Sequence, residues 1–141
     1  MSIDVKVGDW AMQRADAQAI RFEVFVVEQK VPLEMEWDDM DPLCIHAVAY
    51  EAGGKAIGTG RLLPDGHVGR MAVMRGVRGQ GVGGALLESL MNEARKRGDT
   101  AVILNAQTQA ESFYRRFGFV REGEEFMEAG IPHIAMRYDF P

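Results

Sequence analysis

The chain has 141 residues, 47% of them hydrophobic, with a formal net charge of −5. That size predicts one domain, residues 1–141, with enough apolar side chain for a core and no room for a second domain. An acidic balance argues against broad nucleic-acid binding and mildly favours a cationic partner. No apolar run approaches membrane-spanning length, and the single cysteine, Cys44, excludes an internal disulfide.

The N-terminus through Val7 alternates as a strand does and lacks the apolar core of a signal peptide, so the protein is expected to be cytoplasmic. From Asp9 to Lys30 the pattern predicts a helix, with Ile20, Val24 and Val27 as one apolar stripe and Asp9 or Asp16 as N-cap. Val31-Pro32 ends it, because proline disfavours helical geometry in the residue before it. Glu34 to Asp41 then gathers five carboxylates around Trp37. Such a stretch either draws in a protonated amine through charge and the indole face, or is a solvated loop whose tryptophan is tucked onto the core.

Ile45–Tyr50, Lys55–Leu63 and Val68–Val73 read as strands of an antiparallel meander, with turns at Gly53-Gly54 and Pro64-Asp65-Gly66. Five glycines follow between Gly76 and Gly84, feeding a helix over Gly83–Arg97 that buries Leu86, Leu87, Leu90, Met91 and Ala94 and stops at Gly98. A glycine loop entering a helix suits an anion, since the first helical N–H groups lack partners and Arg78 adds a positive charge.

Three templates compete for that anion. A Walker A loop fails because no Lys-Ser or Lys-Thr follows the glycines. Gly79, Gly81 and Gly84 satisfy Gly-x-Gly-x-x-Gly, but the next strand, Ala101–Leu104, runs into Asn105-Ala106-Gln107 without the acidic residue a dinucleotide unit needs. The third template, Arg-x-x-Gly-x-Gly, is met by Arg78, Gly81 and Gly83. After Gln107, Thr108 and Glu111 have capping-box spacing, and Ala110, Phe113, Tyr114 and Phe117 share a helical face ending at Gly118. The tail to Pro141 adds two strands around Glu128–Pro132, with His133 just past the turn. Three histidines without ligand spacing indicate no metal site.

Arg78-x-x-Gly81-x-Gly83 resembles the acyl-CoA-binding motif of the GNAT superfamily of N-acetyltransferases. Ala110, Phe113-Tyr114 and Gly118-Phe119 match that superfamily's second motif, with Gln107 where asparagine is usual. Val26-Val27-Glu28-Gln29, Val31-Pro32, Glu36-Trp37-Asp38, Gly123-Glu124-x-Phe126 and Gly130-Ile131-Pro132-His133-x-x-Met136 resemble its ElaA/YjcF-like branch. The resemblance implies an α/β (α+β) GNAT fold, a mixed and mostly antiparallel splayed sheet of about seven strands with helices on both faces. It further implies acetyl-CoA as cosubstrate, a homodimer as a frequent state, and no metal.

By the same resemblance, coenzyme A lies along Met71, Ala72 and Val73, its pyrophosphate on Arg78, Gly79, Gln80, Gly81, Val82, Gly83 and Gly84, and its pantetheine end near Gln107, Phe113 and Tyr114. A backbone N–H at Val73 would stabilise the oxyanion formed when an amine attacks the thioester. Tyr114 would assist the departing thiolate, or else is simply core. For the base the sequence offers Glu28, Glu36, His46 and His133, with Glu28 and His133 foremost, or a water chain. Two other functions fit the pattern: a non-catalytic acyl-CoA sensor and a dinucleotide-binding domain.

Overall fold

The computed structural model describes residues 2–141. In chain order it contains β1 (Ile3–Gly8), α1 (Trp10–Arg21), a π-helical segment (Phe22–Glu28), α2 (Leu33–Glu36), β2 (Ile45–Glu51), β3 (Ala56–Leu62) and β4 (His67–Val73). There follow α3 (Val82–Arg97), β5 (Ala101–Gln107), α4 (Glu111–Arg116), β6 (Val120–Arg121), β7 (Phe126–Glu128) and β8 (Ile131–Asp139). The strands form one sheet ordered β1-β2-β3-β4-β5-β8-β6, with β7 also on β8. The tail therefore holds three strands rather than two, and the sheet has eight.

All pairings are antiparallel except β4 with β5. That parallel pair is joined through α3 and is held only at His67↔Ile103 and Val68↔Leu104. Beyond it the two strands part. A bulge marks the departure: Thr59 pairs with Ala72 and Arg61 with Gly69, so Arg70 and Met71 together oppose Gly60. Arg70 takes a positive φ of 50° there. Such an insertion bends its strand, and here it turns the end of β4 away from β5.

Side chains alternate across the sheet, and both faces are covered. Val48 and Ala72 meet Ala17 and Ile20 of α1, together with Val24. Ala47, Ala49, Ile57 and Val102 face Leu86, Leu87 and Leu90 of α3 on the opposite side, which Tyr114 also joins. The long α3 lies close against β3 because Gly58 and Gly60 carry no side chain. A Cβ at Gly58 would sit 2.8 Å from Val82 and 2.9 Å from Leu86, and one at Gly60 would collide with Met71.

Asp9 caps α1, accepting from the Met12 N–H at 2.9 Å, whereas Asp16 instead accepts from the Tyr50 hydroxyl at 2.6 Å. The predicted helix to Lys30 does not continue as α. From Phe22 the chain widens into π geometry, where Gln29 N–H reaches back five residues to the Val24 carbonyl. The wider turn keeps Val24 inside but rotates Val27 out to 48% exposure, so the expected stripe is broken at its last member.

The predicted capping box is also absent. Thr108–Ala110 forms a 3-10 turn, α4 begins only at Glu111, and the Glu111 carboxylate is held by Arg115 and Arg121.

Candidate active site

A cleft of about 730 Å³ opens where β4 and β5 separate. It is walled by the π-helical segment, β4, the end of β5, Tyr114 of α4 and the β7–β8 turn. Among the residues singled out from sequence, Glu28, Met71, Ala72, Val73, Arg78, Gln107, Tyr114 and His133 all border it. Glu36 does so as well, but His46, Phe113 and the arm residues Gly79, Gln80, Gly81, Val82, Gly83 and Gly84 do not.

The bulged strand supplies main-chain groups. Met74 N–H donates to the Ile57 carbonyl of β3, so Val73, one residue earlier, turns its N–H and C=O to the other side. Its carbonyl accepts from Arg78 Nε at 3.0 Å, which confirms that direction. The Val73 N–H therefore faces the splay.

Beyond Val73 the glycine arm divides into two kinds of position. Gly79 and Gly81 have φ of 80° and 86°, and a Cβ on either would meet no atom within 4 Å. They form the bent, open part of the arm. Val82 is a core residue, 1% exposed, while Gly83 and Gly84 face the rings of Phe113 and Phe117. A Cβ at Gly84 would lie 2.9 Å from Phe117, so these two glycines and Phe113 serve the packing of α3 on α4 rather than baring a surface. What the arm offers an anion is backbone. The first i to i+4 bond of α3 runs from Ala85 N–H to the Gly81 carbonyl, which leaves the N–H groups of Val82, Gly83 and Gly84 without intrahelical partners. Those amides, with Arg78 beside them, fit a diphosphate.

Arg78 is already engaged. Its two terminal nitrogens grip the Glu28 carboxylate at 2.6 and 2.7 Å, and Arg75 lies 3.7 Å from the same group. The Arg78 hydrogen bonds hold the Glu28 carboxyl below its ordinary range, which makes it a weak proton acceptor in this state. Tyr114 is 9% exposed, and burial raises its phenol to about 12. It stays protonated at neutral pH and is available as a donor. His133 hydrogen-bonds the Ile131 carbonyl through Nδ1 at 2.6 Å and stacks on Phe126. Its other ring nitrogen, Nε2, lies 3.5 Å from the Glu128 carboxylate. The Gln107 amide is joined to Gln29 at 3.1 Å, tying the end of β5 to the end of the π-helical segment.

The acidic stretch is neither of the two things expected of it. Trp37 is 65% exposed rather than tucked inward. Glu36 and Asp41 are buried with Arg21, which is itself 1% exposed. Arg21 pairs with Glu36 through Nε and forks onto Asp41 at 2.9 and 3.0 Å, while Arg61 bonds Asp41 at 2.8 Å and Asp38 at 2.6 Å. Burial works to raise the Asp41 carboxyl, but the hydrogen bonds and charge of Arg21 and Arg61 outweigh it and hold it low. Glu34 and Asp39 remain exposed and do not border the cleft.

His46 belongs behind this network. It is 1% exposed, bonds the Asp41 carbonyl through Nε2 at 2.8 Å and stacks on Trp10. Burial lowers its pKa, and it does not border the cleft. Cys44 is buried, and its burial pushes the thiol up, as for an inert core residue.

Sequence reasoning passed over Arg21, Arg61 and Arg70. The signal was an arginine set inside otherwise apolar runs, Ala19-Ile20-Arg21-Phe22 and Gly60-Arg61-Leu62-Leu63, since buried guanidinium groups need carboxylates. Among the described residues no group of three or more His, Cys, Asp or Glu side chains could hold a metal ion, and no helix is long and apolar enough to cross a membrane.

A splayed sheet with a bulged central strand, turning main-chain donors toward a glycine arm at a helix N-terminus, defines an acyl-CoA-dependent acyltransferase rather than a dinucleotide-binding domain. Residues 13–140 match the family model of the acetyltransferase (GNAT) domain. The chain belongs to the GNAT family and is an acyltransferase of its N-acetyltransferase class.

It is 43% identical over 131 residues to the uncharacterized N-acetyltransferase YjcF of Bacillus subtilis, covering 90% of this chain and 93% of the relative. Among solved structures, an acyl-CoA N-acyltransferase from Pseudomonas aeruginosa superposes with a TM-score of 0.84 at 35% identity, over 96% of this chain and 99% of that one. Escherichia coli ElaA superposes with a TM-score of 0.86 at 27% identity, over 98% and 100% of the two chains. These likenesses support the ElaA/YjcF-like branch.

Proposed function

We propose that residues 1–141 form one catalytic unit, working in the cytoplasm, that moves an acetyl group from acetyl-CoA to an amine by direct attack with both substrates bound. The observation that carries this reading is that Val73, Tyr114 and Arg78, the residue leading into the arm with three partnerless amides, all border one cleft. Acetyl-CoA supplies the activated thioester. Arg78 and the N–H groups of Val82, Gly83 and Gly84 hold its diphosphate, with Gly79, Gln80 and Gly81 shaping the turn and Met71, Ala72 and Gln107 flanking the pantetheine.

The Val73 N–H donates to the carbonyl oxygen as negative charge builds there, a contribution of about 3 kcal/mol for a well-placed donor. An alkyl amine with a pKa near ~10 is almost wholly protonated at neutral pH, so a base must act first. His133 Nε2 is the better placed base, because Glu28 is neutralised by Arg78. Once Arg78 turns to the diphosphate, Glu28 is released into the cleft, where it orders water between amine and imidazole. The Tyr114 hydroxyl donates to the leaving sulfur.

Thiol release from acetyl-CoA, measured with a panel of amines, tests the reading. Tyr114→Phe is expected to lower kcat about a hundredfold while calorimetry shows CoA affinity nearly unchanged. Well-folded protein that takes up no CoA overturns the proposal.

A further inference from the structure

Resting on that acetyl-transfer reading, the cleft floor says which amines it takes. The carboxylates in and beneath it are paired with arginines, except Glu128 at the β7–β8 turn, which lies 3.5 Å from His133 Nε2. Glu28 is held by Arg78, Glu36 and Asp41 by Arg21, and Asp38 by Arg61. Asp41 Oδ1 accepts from both Arg21 and Arg61, and Asp38 Oδ1 is occupied by the Met40 N–H. Arg70 is the group left over. Its closest acceptors are Asp38 at 3.4 Å and the Met35 carbonyl at 3.5 Å, both at the limit of hydrogen bonding, and its Nε is buried without a partner. The neighbouring Arg61, 6% exposed and also bordering the cleft, likewise has an unpartnered Nε. The Arg70 side chain as a whole is 29% exposed, but a buried N–H left incomplete costs stability unless something completes it.

Arg70 is aimed by the same bulge that turns Val73 toward the splay, three residues further along β4. We infer that the acceptor is an amine that also carries a carboxylate, and that Arg70 receives this carboxylate as a specificity-determining residue. A planar carboxylate matches the guanidinium fork, and a lysine would offer only a point charge. Arg21, Arg61 and Arg70 are balanced in number by Glu36, Asp38 and Asp41. A zwitterionic amino acid adds no net charge to that balance. A phosphate-bearing amine would set a dianion against Asp38 and Glu36, so it is disfavoured. The surplus affinity runs opposite to the cationic acceptor that the acidic stretch suggested.

Matched acceptors decide the matter: glycine, β-alanine and 4-aminobutanoate, each against its carboxamide, with phosphoethanolamine as a further arm. The amide's amine is less basic and so more often neutral, which means intrinsic reactivity favours the amide and cannot mimic the expected preference. The wild type is expected to prefer at least one carboxylate acceptor over its amide by about tenfold to a hundredfold in kcat/KM, the worth of one charged hydrogen-bonded pair. In Arg70→Met that ratio is expected to fall to near one, chiefly through KM, and Arg70→Lys is expected to keep part of it. Thermal melting and CoA calorimetry on each variant report whether the fold and cosubstrate site persist.

Equal use of acid and amide by the wild type, a ratio unmoved in a folded Arg70→Met, or preference for the phosphate each overturns the inference. If acetyl-CoA binds but no amine is acetylated, the transfer reading has failed separately. Calorimetric titration of the same acids and amides into the CoA-saturated protein then settles Arg70, and equal or absent binding overturns its role.

Discussion

The two ends of the cleft are built from different materials. At the glycine arm the anion site is main chain, the N–H groups at the start of α3, and its one charged side chain, Arg78, rests on Glu28 at the surface with 40% of its side chain exposed. At the floor the site is side chain, with Arg21, Arg61, Asp41 and Glu36 almost wholly buried and interlocked. Backbone donors are fixed by helix and turn geometry, so the open part of the arm around Gly79 and Gly81 yields to changes that alter φ, while Gly84 yields to added bulk against Phe117. The floor is the reverse: removing any one partner strands a charge in a dry interior.

The sharpest way to test that contrast is Arg21→Met. It leaves Glu36 and Asp41 short of their partner and is expected to cost about 3–5 kcal/mol, read as a fall in urea midpoint and a melting temperature lower by on the order of 10 °C. A loss comparable to that of a surface substitution would erase the distinction. At the arm, Gly81→Ala forces a side chain into φ of 86° and is expected to cost about 1–2 kcal/mol. The same variant is expected to weaken acetyl-CoA binding about tenfold by tilting the first amides of α3, as calorimetry would show.

Acid probes the floor more gently. The folded His46 pKa lies below its ordinary 6.5 because burial disfavours the imidazolium, so the native state binds fewer protons than the unfolded one. Its contribution is fully present above pH 6.5 and is lost as pH falls through the folded pKa. Asp38 and Asp41, held below their ordinary 3.8, add a second loss at lower pH. Melting temperature is expected to decline by a few degrees from pH 7 to 5, with a shallower slope in His46→Gln. The smallest effect belongs to the exposed pair. Glu28→Gln removes the group that competes for Arg78, so CoA is expected to bind a few-fold tighter, within the ~1 kcal/mol of a surface ion pair, while turnover falls.

Much of this architecture was legible because it depends on local pattern. The alternation of Ile45–Tyr50 gave β2, Asp9 stood where an N-cap must, and Arg78, Gly81 and Gly83 announced the arm. What escaped was set by partners far away in the chain. Arg21 and Asp41 are separated by 20 residues, and Arg61 and Asp38 by 23, so no window shows that three of the five acidic residues are spoken for. Thr108 and Glu111 had the right spacing for a cap, but Arg121 offers Glu111 a bidentate partner at 2.7 and 2.9 Å. The two-residue β6 is too short to announce itself, and it exists because β8 provides an edge to pair with.

The widened turn at Phe22–Glu28 carries a final consequence for how this chain can diverge. One residue deleted there would restore ordinary helical pitch and swing Glu28 and Gln29 by about 100° around the axis, uncoupling both from Arg78 and Gln107 at once. A surface segment that looks free to vary in length is thus frozen in length. Insertions and deletions among relatives that keep activity are expected to collect at the Gly53-Gly54 hairpin instead, where no geometry downstream depends on the count.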